Sequence, residues 1–271
     1  MRFDVLTLFP EMVTGPLSVS IVGRAQASGC ISLAVHDIRV HGVGKHRTVD
    51  DTPYGGGSGM VMRCDVVAES LRAVRGDRER VPIVVFEPSG ARFDQRMAER
   101  FAAAPEVILV CGHYEGIDAR FAEAFAPDVE VISIGDFVLT GGEYAALVFI
   151  DAVARLLPGV LGNADSTRIE SFAPGRGLEF PQYTRPRVWE DLAVPEILFS
   201  GHHAKIDAWR DERSAAKTQA VRPDLALLSP RPDPPRTPRG PRPAEPSAPG
   251  ASSHPPSAPP GHLPPARGGQ K

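Results

Sequence analysis

Three short segments carry the residue types from which a ligand site can be built: FEPSG at 86–90, CGHYEG at 111–116 and IGDFVLTGGE at 134–143. Each follows directly on an apolar run. Glycines let backbone N–H and C=O groups come close to a ligand, and Phe137 and Leu139 offer apolar walls to a planar base. A tight turn explains any one of these loops; three in succession are what a crevice at the carboxyl edge of a parallel sheet requires. Phosphate-loop sites are excluded by spacing. Lys45 is followed by His46, so there is no G-x-x-x-x-G-K-[ST], and no G-x-G-x-x-G follows a strand and opens a helix. From Lys45 to Met60, KHRTVDDTPYGGGSGM sets a basic start and an acidic pair before Tyr54 among glycines. That composition suits a loop docking on a large partner and, equally, an ordinary surface loop.

The elements that must position these loops can be read from apolar patterning. FDVLTLF from Phe3, VPIVVF from Val81, EVILV from Glu106 and VEVISI from Val129 have the β-branched, continuous character of buried strands, with ISLAVHDI from Ile31 a candidate fifth. FDQRMAERFAA puts Phe93, Met97 and Phe101 four apart on one predicted helical face, and IDARFAEAFA does the same with Phe121 and Phe125. Strands alternating with helices give an α/β fold with a parallel sheet covered on both sides. From Gly142, GEYAALVFIDAVARLLPG reads as a helix apolar nearly all round, stopped by Pro158 and Gly159, with Arg155 near its end. A turn-rich stretch, VLGNADSTRIESFAPGRG, follows as a linker. A smaller helical unit comes next, with SGHHAKIDAWRDERSAAK its clearest helix and Trp209 read as core.

With 271 residues and 42% hydrophobic side chains, the chain has the material for a core and a length prior of roughly two domains. The formal charge of −3 means that a nucleic-acid partner has to be met by a local patch. No apolar run approaches the roughly 20 residues of a membrane span, and Met1 to Pro10 lacks the start of a signal peptide, so the expected location is cytoplasmic with no membrane partner. Cys30, Cys64 and Cys111 are odd in number and widely spaced, which suits reduced thiols rather than a disulfide frame or structural zinc. Beyond residue 229 the chain is rich in Pro, Arg, Ser and Gly with few large apolar residues, the composition of a disordered tail.

LFPEM, HRTVDDTPYGGGSGM, CGHYEGID, SIGDFVLTGGE, IDAVARLLPGVLG, ESF, YTRP and VPEILFSGHHAKIDAWR stand in the order and spacing of the bacterial tRNA (guanine-N1)-methyltransferases. Over residues 1 to about 222 the chain resembles that family, which belongs to the trefoil-knotted SPOUT superfamily. The resemblance implies a knotted S-adenosylmethionine-binding catalytic domain at 1–160, a linker at 161–175 and a small helical tRNA-binding domain at 176–228, with the Pro-rich tail at 229–271 outside it. It implies a homodimer whose active sites draw on both chains. It also implies transfer of a methyl group from S-adenosyl-L-methionine to N1 of guanosine 37, beside the anticodon. Pro88, Gly112, Tyr114, Ile134, Gly135, Asp136, Phe137, Val138, Leu139, Gly141 and Gly142 stand at cofactor-binding positions.

Guanine N1 carries a proton, and losing it places charge largely on O6. The reaction therefore needs a carboxylate to take the proton and a cation or donor aimed at O6. By resemblance Arg155 is the O6 partner, and Glu170 stands where the family usually has aspartate as base, in register with Ser166, Ser171 and Phe172. The extra methylene moves the carboxylate by about 1 Å, a displacement that a mobile linker can absorb. His113 is a second departure, where many relatives carry arginine. His46, Arg47, Tyr54, Arg185, His202, Lys205 and Arg210 are the RNA-contact candidates, since phosphates want Lys or Arg and splayed bases want aromatic or planar partners. Mg2+ is a candidate for some relatives, and no carboxylate cluster here specifies a site. A catalytically silent RNA-binding dimer and a ribose 2′-O-methyltransferase are the alternatives. An arginine together with a linker carboxylate favours a ring nitrogen over a ribose hydroxyl.

Overall fold

The computed structural model of the chain describes residues 1–162, 169–173 and 176–226. Ser166 and the tail at 229–271 lie outside the described residues. Among these, five strands form one parallel sheet: β1 (Arg2–Thr7), β2 (Ser32–Asp37), β5 (Ile83–Arg92), β6 (Glu106–Val110) and β7 (Val129–Ser133), in the order β2-β1-β6-β5-β7. The fold is α/β, and ISLAVHDI supplies β2. Two two-residue strands, β3 (Asp50–Asp51) and β4 (Val61–Met62), flank the Tyr54 loop.

Alternation along the strands sends side chains to two cores. Phe3, Val5, Val84, Phe86, Val107 and Leu109 face α1 (Pro10–Leu17), α2 (Ser20–Ala27), α4 (Gln95–Ala102) and α6 (Glu143–Ala154). Leu6, Ile83, Val85, Ile108 and Val110 face α3 (Cys64–Arg75) and α5 (Arg120–Ala124). Both faces being covered explains why these strands read as continuous apolar runs. No described helix is long and apolar enough to cross a membrane.

Several boundaries differ from expectation. β5 does not end at Phe86: Phe86 and Ala91 both pair with Ile132 of β7, and residues 87–90 bulge out between them. Phe93 precedes α4, because Asp94 caps that helix by accepting from Met97 N–H at 2.9 Å; its ring still reaches Phe149, with centroids 5.1 Å apart. α5 is one turn, with Phe125 already its C-cap. α6 stops at Ala154, short of Pro158, and Arg155 caps it. Nor is α6 buried all round, since Tyr144 and Val148 are about half exposed on its outer side. Past the linker, a hairpin of β8 (Val188–Trp189) and β9 (Leu192–Ala193) precedes a helix at His203–Val221. Residues 177–180 run along that helix: Ser214 Oγ donates to Leu178 O at 2.6 Å, and Leu178 N–H donates to Thr218 Oγ1 at 2.8 Å. Trp209 on it is half-buried, its ring 6.3 Å from Tyr183, rather than enclosed.

Candidate functional site

The bulge after Phe86 and the loops that leave β6 and β7 enclose a cavity of about 420 Å³. Pro88, Gly112, Tyr114, Ile134, Gly135, Phe137, Val138, Leu139, Gly141 and Gly142 line it. Asp136 does not: it is exposed at the apex of a tight turn closed by Phe137 N–H on Gly135 O at 3.0 Å. Glu87, Ser89, His113, Glu115 and Thr140 also line the cavity. All five lie inside the three loops; only His113 stood out there, as the departure from arginine, and nothing in the order of residues prefers the other four over their neighbours.

The walls are made by close backbone contact. Gly142 N–H donates to Gly112 O at 2.8 Å, and His113 and Gly141 form a bridge. A Cβ on Gly142 would sit 2.8 Å from Cys111 Cα, nearer than side chains approach, so only glycine fits there. Cys111 is fully buried; burial, and then the Glu143 charge, push its thiol well up, so it remains a thiol packed behind the wall. Tyr114 holds a left-handed backbone (φ 57°), its ring 5.0 Å from that of His113, which in turn lies 5.0 Å from Phe9.

At the other end of α6, Arg155 and Glu170 form a two-pronged ion pair. Nη1 donates to Oε2 at 2.7 Å and Nη2 to Oε1 at 2.8 Å. The Glu170 carboxylate raises the Arg155 pKa by hydrogen bonding to it, so the guanidinium stays charged. Neighbouring residues fix the segment: Phe172 N–H donates to Gly177 O at 2.8 Å, and Glu179 N–H to Ser171 Oγ at 2.9 Å. Both side chains are about one-third exposed. Neither lines the cavity. At 1.5 Å per residue, Arg155 is roughly 20 Å along the helix from Gly142.

The RNA-contact candidates fall in two separate stretches of chain. His46 and Arg47 are exposed in a turn closed by Arg47 N–H on Gly44 O at 3.2 Å, and Tyr54 is 99% exposed. Arg185, His202 and Lys205 are exposed as well. Arg210 is not free in the same way: its guanidinium lies 4.9 Å over the Phe180 ring and 3.4 Å from Asp207. Among the described residues no group of His, Cys, Asp and Glu has the arrangement of a metal site.

Residues 1–227 match the family model described as tRNA (Guanine-1)-methyltransferase TrmD. A tRNA (guanine-N(1)-)-methyltransferase of Chloroflexus aggregans is 54% identical over 226 residues, covering 83% of this chain and 87% of that one. Proteins of the same description from Geobacter sulfurreducens and Gluconobacter oxydans are 49% and 51% identical, each covering 83% of this chain and 91% and 94% of their own lengths.

Proposed function

The chain belongs to the tRNA (guanine-1)-methyltransferase family and is a tRNA (guanine-N1)-methyltransferase, and from that premise we propose that its target is guanosine 37, with S-adenosylmethionine taken up in the cavity. The observation that carries this reading is the Arg155–Glu170 pair. A guanine edge offers an acceptor, O6, beside a donor, N1–H. That edge is complementary to a guanidinium and a carboxylate drawn slightly apart, so the base can enter the pair by exchanging one set of charge-assisted hydrogen bonds for another. Glu170 then takes the N1 proton, and Arg155 holds the charge that collects on O6.

The cavity residues fit the donor. Its volume lies within the range of small-molecule sites; Phe137, Val138 and Leu139 provide apolar wall, the glycine loops provide backbone groups, and Glu87 and Glu115 provide negative charge suited to a sulfonium. When bound, S-adenosylmethionine supplies an electrophilic methyl group. The chain's contribution is to hold the two reactants in line and to exclude water.

The separation along α6 supports a homodimer in which the pair of one protomer serves the cavity of the other. Exposed Tyr144 and Val148 on α6 suit a subunit contact. Gly142 lying on the Cys111–Gly112 backbone suits a chain threaded as a trefoil knot. The same reading divides the chain into the catalytic domain at 1–160, the linker at 161–175 and the tRNA-binding domain at 176–228, with the tail at 229–271 beyond them. His46, Arg47, Tyr54, Arg185, His202 and Lys205 are its RNA contacts. Mg2+ has no assigned place in this scheme.

Methyl transfer to tRNA transcripts with and without guanosine at position 37, followed by nucleoside analysis, tests the reading. The expected product is 1-methylguanosine, lost when guanosine 37 is replaced. A 2′-O-methylated nucleoside, or no transfer at all, would point to one of the alternatives instead.

A further inference from the structure

Beside Gly141, two buried polar atoms converge without a protein partner. Glu143, the first residue of α6, is only 1% exposed. Its Oε1 accepts the Thr7 hydroxyl at 2.6 Å, and Thr7 Oγ1 itself accepts the Phe9 N–H at 2.9 Å, so the one hydroxyl proton is committed to Glu143. Glu143 Oε2 has no protein partner, and neither has His113 Nδ1. A Cβ built on Gly141 would collide with Glu143 Oε2 and lie 2.7 Å from His113 Nδ1. Both atoms are thus close to one point, so they lie within roughly 5 Å of each other without bonding, a separation that one water can span.

A buried carboxylate oxygen and a ring nitrogen left unpaired are costly, and a small polar site offering two partners is what an internal water needs. We propose that one water molecule is bound beside Gly141. It donates one hydrogen to Glu143 Oε2 and meets His113 Nδ1 with its other hydrogen or a lone pair, so either neutral tautomer of the ring is accommodated. Glu143 thereby becomes a positioning residue: anchored to β1 through Thr7, it holds the His113 ring on the cavity wall, and the Tyr114 ring packs against that. Gly141 is required because a Cβ there would collide with the Glu143 carboxylate and crowd the His113 ring. The histidine at 113 follows too, since an arginine would carry its donors further and reach Glu143 directly.

That the water shapes donor binding rests on the proposed use of the cavity; the water itself does not. A crystal structure of the full chain without added donor, at a resolution that shows ordered solvent, is expected to have a density peak within about 3.2 Å of both atoms. No peak, or direct contact between the two side chains, overturns the proposal. The second measurement is a double-mutant cycle of His113→Phe and Glu143→Met, read by calorimetric donor affinity with tRNA affinity as control. Each single variant is expected to weaken donor binding about tenfold with tRNA affinity unchanged, and the double variant to be no worse than either single one. Additive losses overturn the link. If Glu143→Met does not fold, His113→Arg is expected to expel the water and pair with Glu143; persistence of the peak in that variant overturns the proposal. A wild type with the peak but no donor binding leaves the water in place and removes the reading of the cavity.

Discussion

Strand β1 carries one buried carboxylate and holds another, and the two are treated differently. Asp4, fully buried, is bonded by three basic side chains: Arg2 by two nitrogens at 2.8 Å each, His36 Nε2 at 2.8 Å and Arg78 Nη1 at 3.1 Å. Three residues on, about 10 Å along the strand, Thr7 gives Glu143 a single hydroxyl bond. Burial works against ionisation of Asp4, but the hydrogen bonds from His36, Arg2 and Arg78 outweigh it and hold the carboxyl well below its usual range. Arg78 also pairs with Glu106 at the start of β6, so these side chains form one linked network at the amino end of the sheet. The carboxyl end keeps unspent hydrogen-bonding capacity in Glu143 and His113, and at the far end of α6 the proposed function asks the Arg155–Glu170 pair to open for a base edge. The Asp4 carboxylate is saturated; that of Glu143 is not.

The sharpest way to break this contrast is at Glu170. Glu170→Gln keeps an acceptor for Arg155 but removes the base, and single-turnover methyl transfer is expected to fall by about 10²- to 10⁴-fold with the melting temperature unchanged. An unimpaired variant would take Glu170 out of the chemistry. In the saturated network, Asp4→Asn leaves two guanidinium groups facing an amide, and urea melts are expected to show a loss of about 3 kcal/mol, with methyl transfer per folded molecule preserved. A loss of turnover without loss of stability would reverse the assignment of the two carboxylates. Arg155→Lys keeps the charge but not the planar fork, and a fall in kcat of about ten- to a hundredfold is expected from steady-state assays.

The smallest effect is in acid. A depressed folded-state pKa stabilises the fold above the unfolded carboxyl pKa of about 4, and that stability is lost as pH falls towards the folded value. Asp118, held down to about 2 by Arg120, titrates in the same direction from a more exposed position. The stability gap between wild type and Asp4→Asn is therefore expected to narrow by on the order of 1–2 kcal/mol between pH 5 and pH 2. A gap independent of pH would mean that Asp4 does not ionise within the network.

The strands were legible because burial on both faces writes a continuous apolar run, and the cavity loops because glycine and aromatic residues interrupt those runs. Residues 87–90 misled: Glu-Pro-Ser-Gly looks like the end of a strand, whereas the backbone returns to its partner at Ala91, and only the tertiary pairing reveals that. Phe93 kept the helical period without lying on the helix, because a cap one residue later decides where winding begins. Asp136 was grouped with the binding loop by position; it is exposed at a turn and does not line the cavity. Glu143 was invisible as a site residue, since nothing in the order of residues announces that Thr7, 136 positions away, is its partner.

The β5 bulge has a consequence for how this pocket changes over evolutionary time. Because the strand leaves and rejoins the sheet opposite the same residue, Ile132, the register of β7 does not depend on how many residues lie between Phe86 and Gly90, the glycine that rests on the Val131–Ile132 backbone. Insertions or deletions at 87–89 can reshape the mouth of the cavity while the scaffold beneath stays in register, which makes this blister the easiest place for a lineage to retune what enters.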